Sequence, residues 1–230
     1  MDHGAGHLRV DRLGVNLNRN CMVKKNSREN KAHIKLWESI RLTALEDSDI
    51  EKIFEWTNFP GIRDLTMDPR LPVQKQSVRE WVNELRHQRP VSKIVFGIRA
   101  SNELVGMGLL HGIDQFQRKT LIGLYIGGAA NQSRGIGFVA MSLLIDYAFN
   151  GLDLRKISLE VISENNKAVN LYKKVGFIHE GTKREDYFLD GKRFDVSMYG
   201  MLSDEFVVPI PSGAHRLVMR SSDLNVTERS

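Results

Sequence analysis

The chain has 230 residues, a net charge of +5 and a single cysteine, Cys21. That length supports one domain with a full hydrophobic core plus tails, and the lone thiol excludes an internal disulfide and a metal site built on thiolates. No apolar run nears the ~20 residues that cross a bilayer and the start lacks the apolar segment of a secretory signal, so a cytoplasmic protein with no membrane partner and no metal is expected.

In chain order, residues 1–37 hold eight basic and three acidic residues, so the positive charge is concentrated at the start. Nothing aromatic precedes Trp37 to stack on bases, and the charges do not share one helical face. The stretch therefore reads as a basic extension, disordered in part, and not as a nucleic-acid partner's binding arm. Ser39 to Leu45 alternates like a first strand, and Asp47-Ser48 caps a helix that runs to about Trp56. Asn58 to Val73 is rich in Pro, Gly and Asp and reads as loop. Ser77 to His87 forms a second helix with Trp81 and Leu85 on one face. Ile94 to Ala100 and Leu104 to Ile113 pair around the turn Ser101-Asn102-Glu103. Thr120 to Ile126 is a buried strand, Phe138 to Phe149 an amphipathic helix, and Ile157 to Ile162 another alternating strand. Ser163 to Asn166 then caps a short helix that stops at Gly176. A hairpin turning at Asp190-Gly191 and a last strand from Lys192 to Leu202 follow. From Ser203 on, Pro209, Pro211 and Gly213 predict a loosely held tail. The whole is an α/β (α+β) architecture: a mixed, largely antiparallel twisted sheet of about seven strands with about four helices on its faces.

The segment Asn131 to Gly137 carries the chemistry. Gly135 and Gly137 let the backbone turn tightly between the Thr120–Ile126 strand and the helix that follows. The unpaired N–H groups of that helix's first turn suit a phosphate. The P-loop pattern is absent, since no Gly-Lys-Ser or Gly-Lys-Thr occurs. The dinucleotide fingerprint also fails, because Ala140 stands where the third glycine would be and the loop does not follow a first βαβ strand.

Gln132-x-x-Gly135-x-Gly137, followed by Asn165-x-x-Ala168-x-x-x-Tyr172-x-x-x-Gly176-Phe177, resembles the GNAT superfamily of N-acetyltransferases. The resemblance runs from about Ile40 to Leu202. It implies an acetyltransferase domain over residues 38–202 with a tail over 203–230. The segment Glu55-Trp56-Thr57-Asn58-Phe59-Pro60-x-x-Arg63, with the Asp190-Gly191 hairpin, is most similar to the branch holding ribosomal-protein N-terminal, spermidine and aminosugar acetyltransferases. The implied co-substrate is acetyl-CoA and the implied partner a small-molecule amine or peptide acceptor. A homodimer stays open.

Within that frame, backbone N–H groups of Gln132, Ser133, Arg134, Gly135, Ile136 and Gly137 would hold the pyrophosphate, with the Arg134 guanidinium adding a charge-assisted bond. The resemblance further implies that the strands at Leu121–Ile126 and Ile157–Ile162 splay, so that Leu124, Tyr125 and Ile126 offer free backbone to the pantetheine arm. Asn165 would bond that arm, and Ala168 and Tyr172 lie on its helix face. In the family the matching Tyr is the general acid. A phenol near pKa ~10 keeps its proton at neutral pH. From spacing alone, Tyr172 can equally pack under Phe177, and Asn165 can simply cap its helix. Trp56, Asn58, Arg63, Asp186 and Tyr187 are acceptor candidates by position. Many relatives carry a Glu as general base where this chain has Leu121 and Ile122, leaving Glu160, Asp114, His111 and Glu164 as substitutes. With Cys21 in the arm, direct attack by the amine is favoured over an acyl-cysteine. A non-catalytic acyl-CoA-binding regulator is the alternative from a different class.

Overall fold

The computed structural model describes residues 27–59, 72–88 and 90–207. Arg63, the Pro209 tail and most of the basic arm lie outside them.

Helix α1 (Ser27–Ser39) leads into β1 (Ile40–Thr43), and a 3-10 turn (Asp47–Asp49) opens α2 (Ile50–Asn58). Then come α3 (Lys75–His87), β2 (Lys93–Ala100), β3 (Glu103–Asp114) and β4 (Lys119–Ile126). Helix α4 (Ile136–Asp146) ends in a π turn (Tyr147–Gly151), followed by β5 (Lys156–Ile162), α5 (Asn166–Val175), β6 (Ile178–Leu189) and β7 (Lys192–Leu202). The seven strands form one sheet in the order β1-β2-β3-β4-β5-β7-β6, antiparallel except between β4 and β5.

Helix α4 is apolar all round because both its sides are covered. It packs on β1, β3 and β4, and α1 and α5 pack against it in turn. Met141, Leu144 and Ile145 are fully buried there. The opposite sheet face carries a smaller cluster in which α2 and α3 set Ile53, Trp56, Val78 and Val82 against Leu104 and Met107. The sequence placed residues up to Trp37 in a loose arm. Instead Ser27–Ser39 is helical and buries Trp37, whose ring meets Phe138 edge-on at 6.4 Å. Polar and basic residues on the exposed side hid this short apolar face, made of Leu36 and Trp37. No helix among the described residues is long and apolar enough to cross a membrane.

Two anchors fix α2 and α3. Asp49 is buried and pairs with Arg99 at 2.7 Å, while its carboxylate also accepts the Glu46 N–H at 2.9 Å. The Asn58 side chain donates to the carbonyls of Phe54 (3.1 Å) and Val73 (3.0 Å) and accepts the Val73 N–H at 3.0 Å. It therefore ties the end of α2 to the approach of α3.

Candidate active site

β4 and β5 pair only from Lys119–Leu121 to Lys156–Ser158, although β4 runs on to Ile126 and β5 to Ile162. Beyond Leu121 the two edges diverge, and their facing backbone groups have no strand partner. An unpaired edge of this kind receives an extended ligand as an added strand. The gap opens into a cavity of about 1150 Å³.

One end of that cavity is the glycine loop. Gly135 adopts φ +81° as the N-cap of α4, and Ser133 stands at φ +61°. The first bonds closing the turn run from the Phe138 and Val139 N–H groups to the Gly135 carbonyl, so the N–H groups of Ile136 and Gly137 stand ahead of the first intrahelical bond. These are the donors an anion requires. Gly137 leaves room as well: the nearest atoms a Cβ there would meet are in Leu171 at 3.4 Å, Leu124 at 3.8 Å and Ile126 at 3.9 Å. Lys167, in the first turn of α5, reaches across to donate to Gln132 Oε1 at 2.6 Å. The sequence reading missed this lysine; its place one residue after the start of α5 was the available signal. Of the loop residues, Gln132, Ser133, Gly135 and Gly137 line the cavity, whereas Ile136 is buried in the core and Arg134 is exposed outside it.

In the middle, Leu124, Tyr125 and Ile126 line the gap from β4, and Asn165, Ala168 and Tyr172 line it from α5. Asn165 caps its helix through Oδ1, which accepts the Ala168 N–H at 3.2 Å. Both readings of this residue are compatible with that bond, because it leaves the amide nitrogen available. Tyr172 packs edge-on to Phe177 at 6.0 Å and lies tilted against Tyr199 at 6.4 Å. Burial pushes its phenol up to about 12. Its ring is core, yet the residue forms part of the cavity wall, and its hydroxyl has no hydrogen bond within the described residues.

At the far end Trp56 stands edge-on to Tyr125 at 5.5 Å. Asn58 and Tyr187, expected beside it, are placed elsewhere. The Asn58 amide is consumed by the α2–α3 clamp, and Tyr187 sits on the β6–β7 hairpin against Phe194 at 6.5 Å. Asp186, on the same hairpin, faces Lys183 at 3.7 Å. Among the candidate bases, Glu160 and His111 line the cavity. Asp114 instead caps a turn by accepting the Gln117 N–H at 2.8 Å, and Glu164 is exposed away from the cavity.

A splayed parallel pair, a glycine loop at a helix start and a phenol between them line one cavity. The GNAT acetyltransferase domain model matches residues 42–198, and the chain belongs to that family. It is an acetyl-CoA-dependent N-acetyltransferase domain. It is 28% identical to the spermidine N(1)-acetyltransferase of Vibrio cholerae over 73% of this chain and 95% of that protein. It is 25% identical to the ribosomal-protein-serine acetyltransferase of Escherichia coli K12 over 74% of this chain and 97% of that one. A crystal structure of spermidine N-acetyltransferase from Vibrio cholerae in complex with CoA and spermine superposes with a TM-score of 0.68 at 28% identity, covering 73% of this chain and 97% of that chain.

Proposed function

We propose that the protein acetylates the primary amine of a small molecule by direct attack of that amine on acetyl-CoA. The observation that carries this reading is the Tyr172 side chain in the wall of the β4–β5 gap, beside a strand edge that has no strand partner and leads to the glycine loop. The N–H groups of Gln132 to Gly137 hold the pyrophosphate, and Lys167 turns from Gln132 to the added anion. Leu124 to Ile126 pair with the pantetheine amides, and their N–H groups polarise the thioester carbonyl. The Asn165 amide nitrogen bonds the same arm.

Acetyl-CoA supplies the activated acetyl group: the acceptor nitrogen bonds to the carbonyl carbon, the carbon–sulfur bond breaks, and the leaving thiolate requires one proton. Tyr172 holds that proton. A phenol raised to about 12 gives it up to a thiolate whose thiol has an aqueous pKa of ~8.5 only uphill. The apolar wall that raises the phenol also raises a thiolate held against it, which narrows the difference. Glu160 or His111, both in the cavity wall, receives the amine proton directly or through water.

A second reading, acetylation of a protein N-terminus, draws on the similarity to the ribosomal-protein-serine acetyltransferase. The deciding experiment is acetyl-CoA-dependent thiol release over polyamines, aminosugars, amino acids and short peptides, with Tyr172→Phe as control. Turnover of a small amine, lost in the variant, supports the proposal. Turnover of peptides alone moves the assignment to the second reading. Acetyl-CoA binding with no turnover across the panel points to a non-catalytic acyl-CoA-binding regulator.

A further inference from the structure

The acceptor half of the cavity has two cross-strand rows as its floor: Val95, Leu109 and Gly123, and beside them Lys93, His111 and Leu121. Trp56 and Trp81 face this floor from α2 and α3. Val95, Leu109 and Trp81 are apolar yet only part-buried, so a broad apolar surface stands open to a ligand. Lys93 is the charge set into it. Lys52, Lys156 and Lys183 each pair with a carboxylate, whereas the Lys93 ammonium has no ion pair or hydrogen bond among the described residues. The one carboxylate among the described lining residues, Glu160, already accepts from Lys183 at 2.6 Å.

We propose that the acceptor is an elongated monoamine with an apolar, preferably aromatic, body and a single anionic end that Lys93 receives. This specificity presupposes the acetyltransferase reading. Aromatic walls alone would also receive an ammonium through the ring faces. Lys93 decides between the two, because a second positive charge on the acceptor meets a like charge with no offsetting free carboxylate among the described lining residues. The sheet sets the length. Lys93 lies two strands from β4, about 10 Å, and Leu124 lies three residues beyond Leu121, about 10 Å along the strand. The backbone diagonal is about 14 Å, and a lysine side chain, about 6 Å when extended, shortens it only as far as it leans along the sheet. At least about 8 Å then separates the reacting nitrogen from the anion. The carboxylate of a simple α-amino acid is too close to its amine for this; an anion across an aromatic ring fits.

The test compares kcat/KM for 4-(2-aminoethyl)benzoate, phenethylamine and spermidine in acetyl-CoA-dependent thiol release. The benzoate is expected to exceed phenethylamine by roughly tenfold, the scale of a partly screened charge pair, with spermidine lowest. Lys93→Ala brings the two aryl amines within about twofold of each other, and Lys93→Glu inverts their order. Because the readout is a ratio within one preparation, a partial loss of folded enzyme does not imitate it. Spermidine outrunning both aryl amines overturns the proposal. So does a wild-type aryl ratio near one, or a ratio that survives Lys93→Ala. Turnover of spermidine alone leaves the acetyltransferase reading standing and removes the acceptor proposal. Absence of acetyl-CoA binding by calorimetry, with no amine turned over, removes both.

Discussion

Gly127 lies so close to the Trp56 ring that a Cβ added to it would stand 2.6 Å from the indole nitrogen. The Gly127 N–H also bonds the Val105 carbonyl at 2.8 Å, so the backbone cannot retreat from the ring. Gly127→Ala must therefore displace Trp56, and with it the edge-on contact to Tyr125. The expected result is a stability loss of about 1–3 kcal/mol from overpacking. It is joined by a several-fold rise in acceptor KM with acetyl-CoA KM little changed. Thermal melts and two-substrate kinetics check this; a rise in acetyl-CoA KM alone would contradict it.

Tyr172→Phe keeps the ring contacts with Phe177 and Tyr199 but removes the proton. Loss of a general acid lowers kcat by roughly 10²–10⁴, while acetyl-CoA affinity, measured by calorimetry, stays near wild type. A fall in affinity with kcat intact would show a packing residue instead.

The same phenol makes a pH prediction. Its folded pKa is raised by burial from 10.0 to about 12, so the folded state holds the proton more tightly. That stability is fully present below pH ~10 and is lost as pH climbs to ~12, a change of roughly 3 kcal/mol. Urea midpoints should fall steeply across this window in wild type and less in Tyr172→Phe. Equal slopes in the two proteins would refute the assignment.

The two loop glycines should respond differently to a methyl. Gly135 sits at φ +81°, and its added Cβ would meet Leu36 of α1 at 3.0 Å. Gly135→Ala should therefore cost about 1–2 kcal/mol of stability and distort the loop. Gly137 has ordinary contacts, so Gly137→Ala should leave stability unchanged or raise it by about 0.5–1 kcal/mol, yet push a methyl into the cavity wall and raise acetyl-CoA KM. Unfolding midpoints and cofactor KM for both variants separate strain from obstruction.

Asp49→Ala leaves the Arg99 guanidinium, only 17% exposed, without its carboxylate. Breaking a buried pair from one side costs about 3–5 kcal/mol. Denaturant unfolding should show a loss of that order, with acetyl-CoA KM unchanged in the fraction still folded.

Much of the fold was legible because its signals are local. The Asp190-Gly191 hairpin turn was read from two residue types and adopts positive φ at both positions, +48° and +77°. Gly176 ends its helix at φ +113° for the same reason. The glycine loop and the α5 face were likewise readable from spacing, since backbone freedom and helical period belong to the residues themselves.

The acceptor side was not legible in that way. Asn58, an acceptor candidate by position, is a clamp on Val73, fifteen positions away; Tyr187, another such candidate, packs on its own hairpin. Lys93 carried no signal at all until β3 brought it beside His111 and the cavity. The sequence by itself determined most of the elements, the glycine turn before α4 and the place of Tyr172 on the α5 face, because dihedral preference and period act within a few residues. Only the tertiary structure decided that Trp56 rests on Gly127, that α1 closes over α4 and that the Lys93 ammonium, with no ion pair among the described residues, is set into an apolar floor. Those juxtapositions depend on strand order and on packing between residues far apart in the chain, which no local pattern encodes.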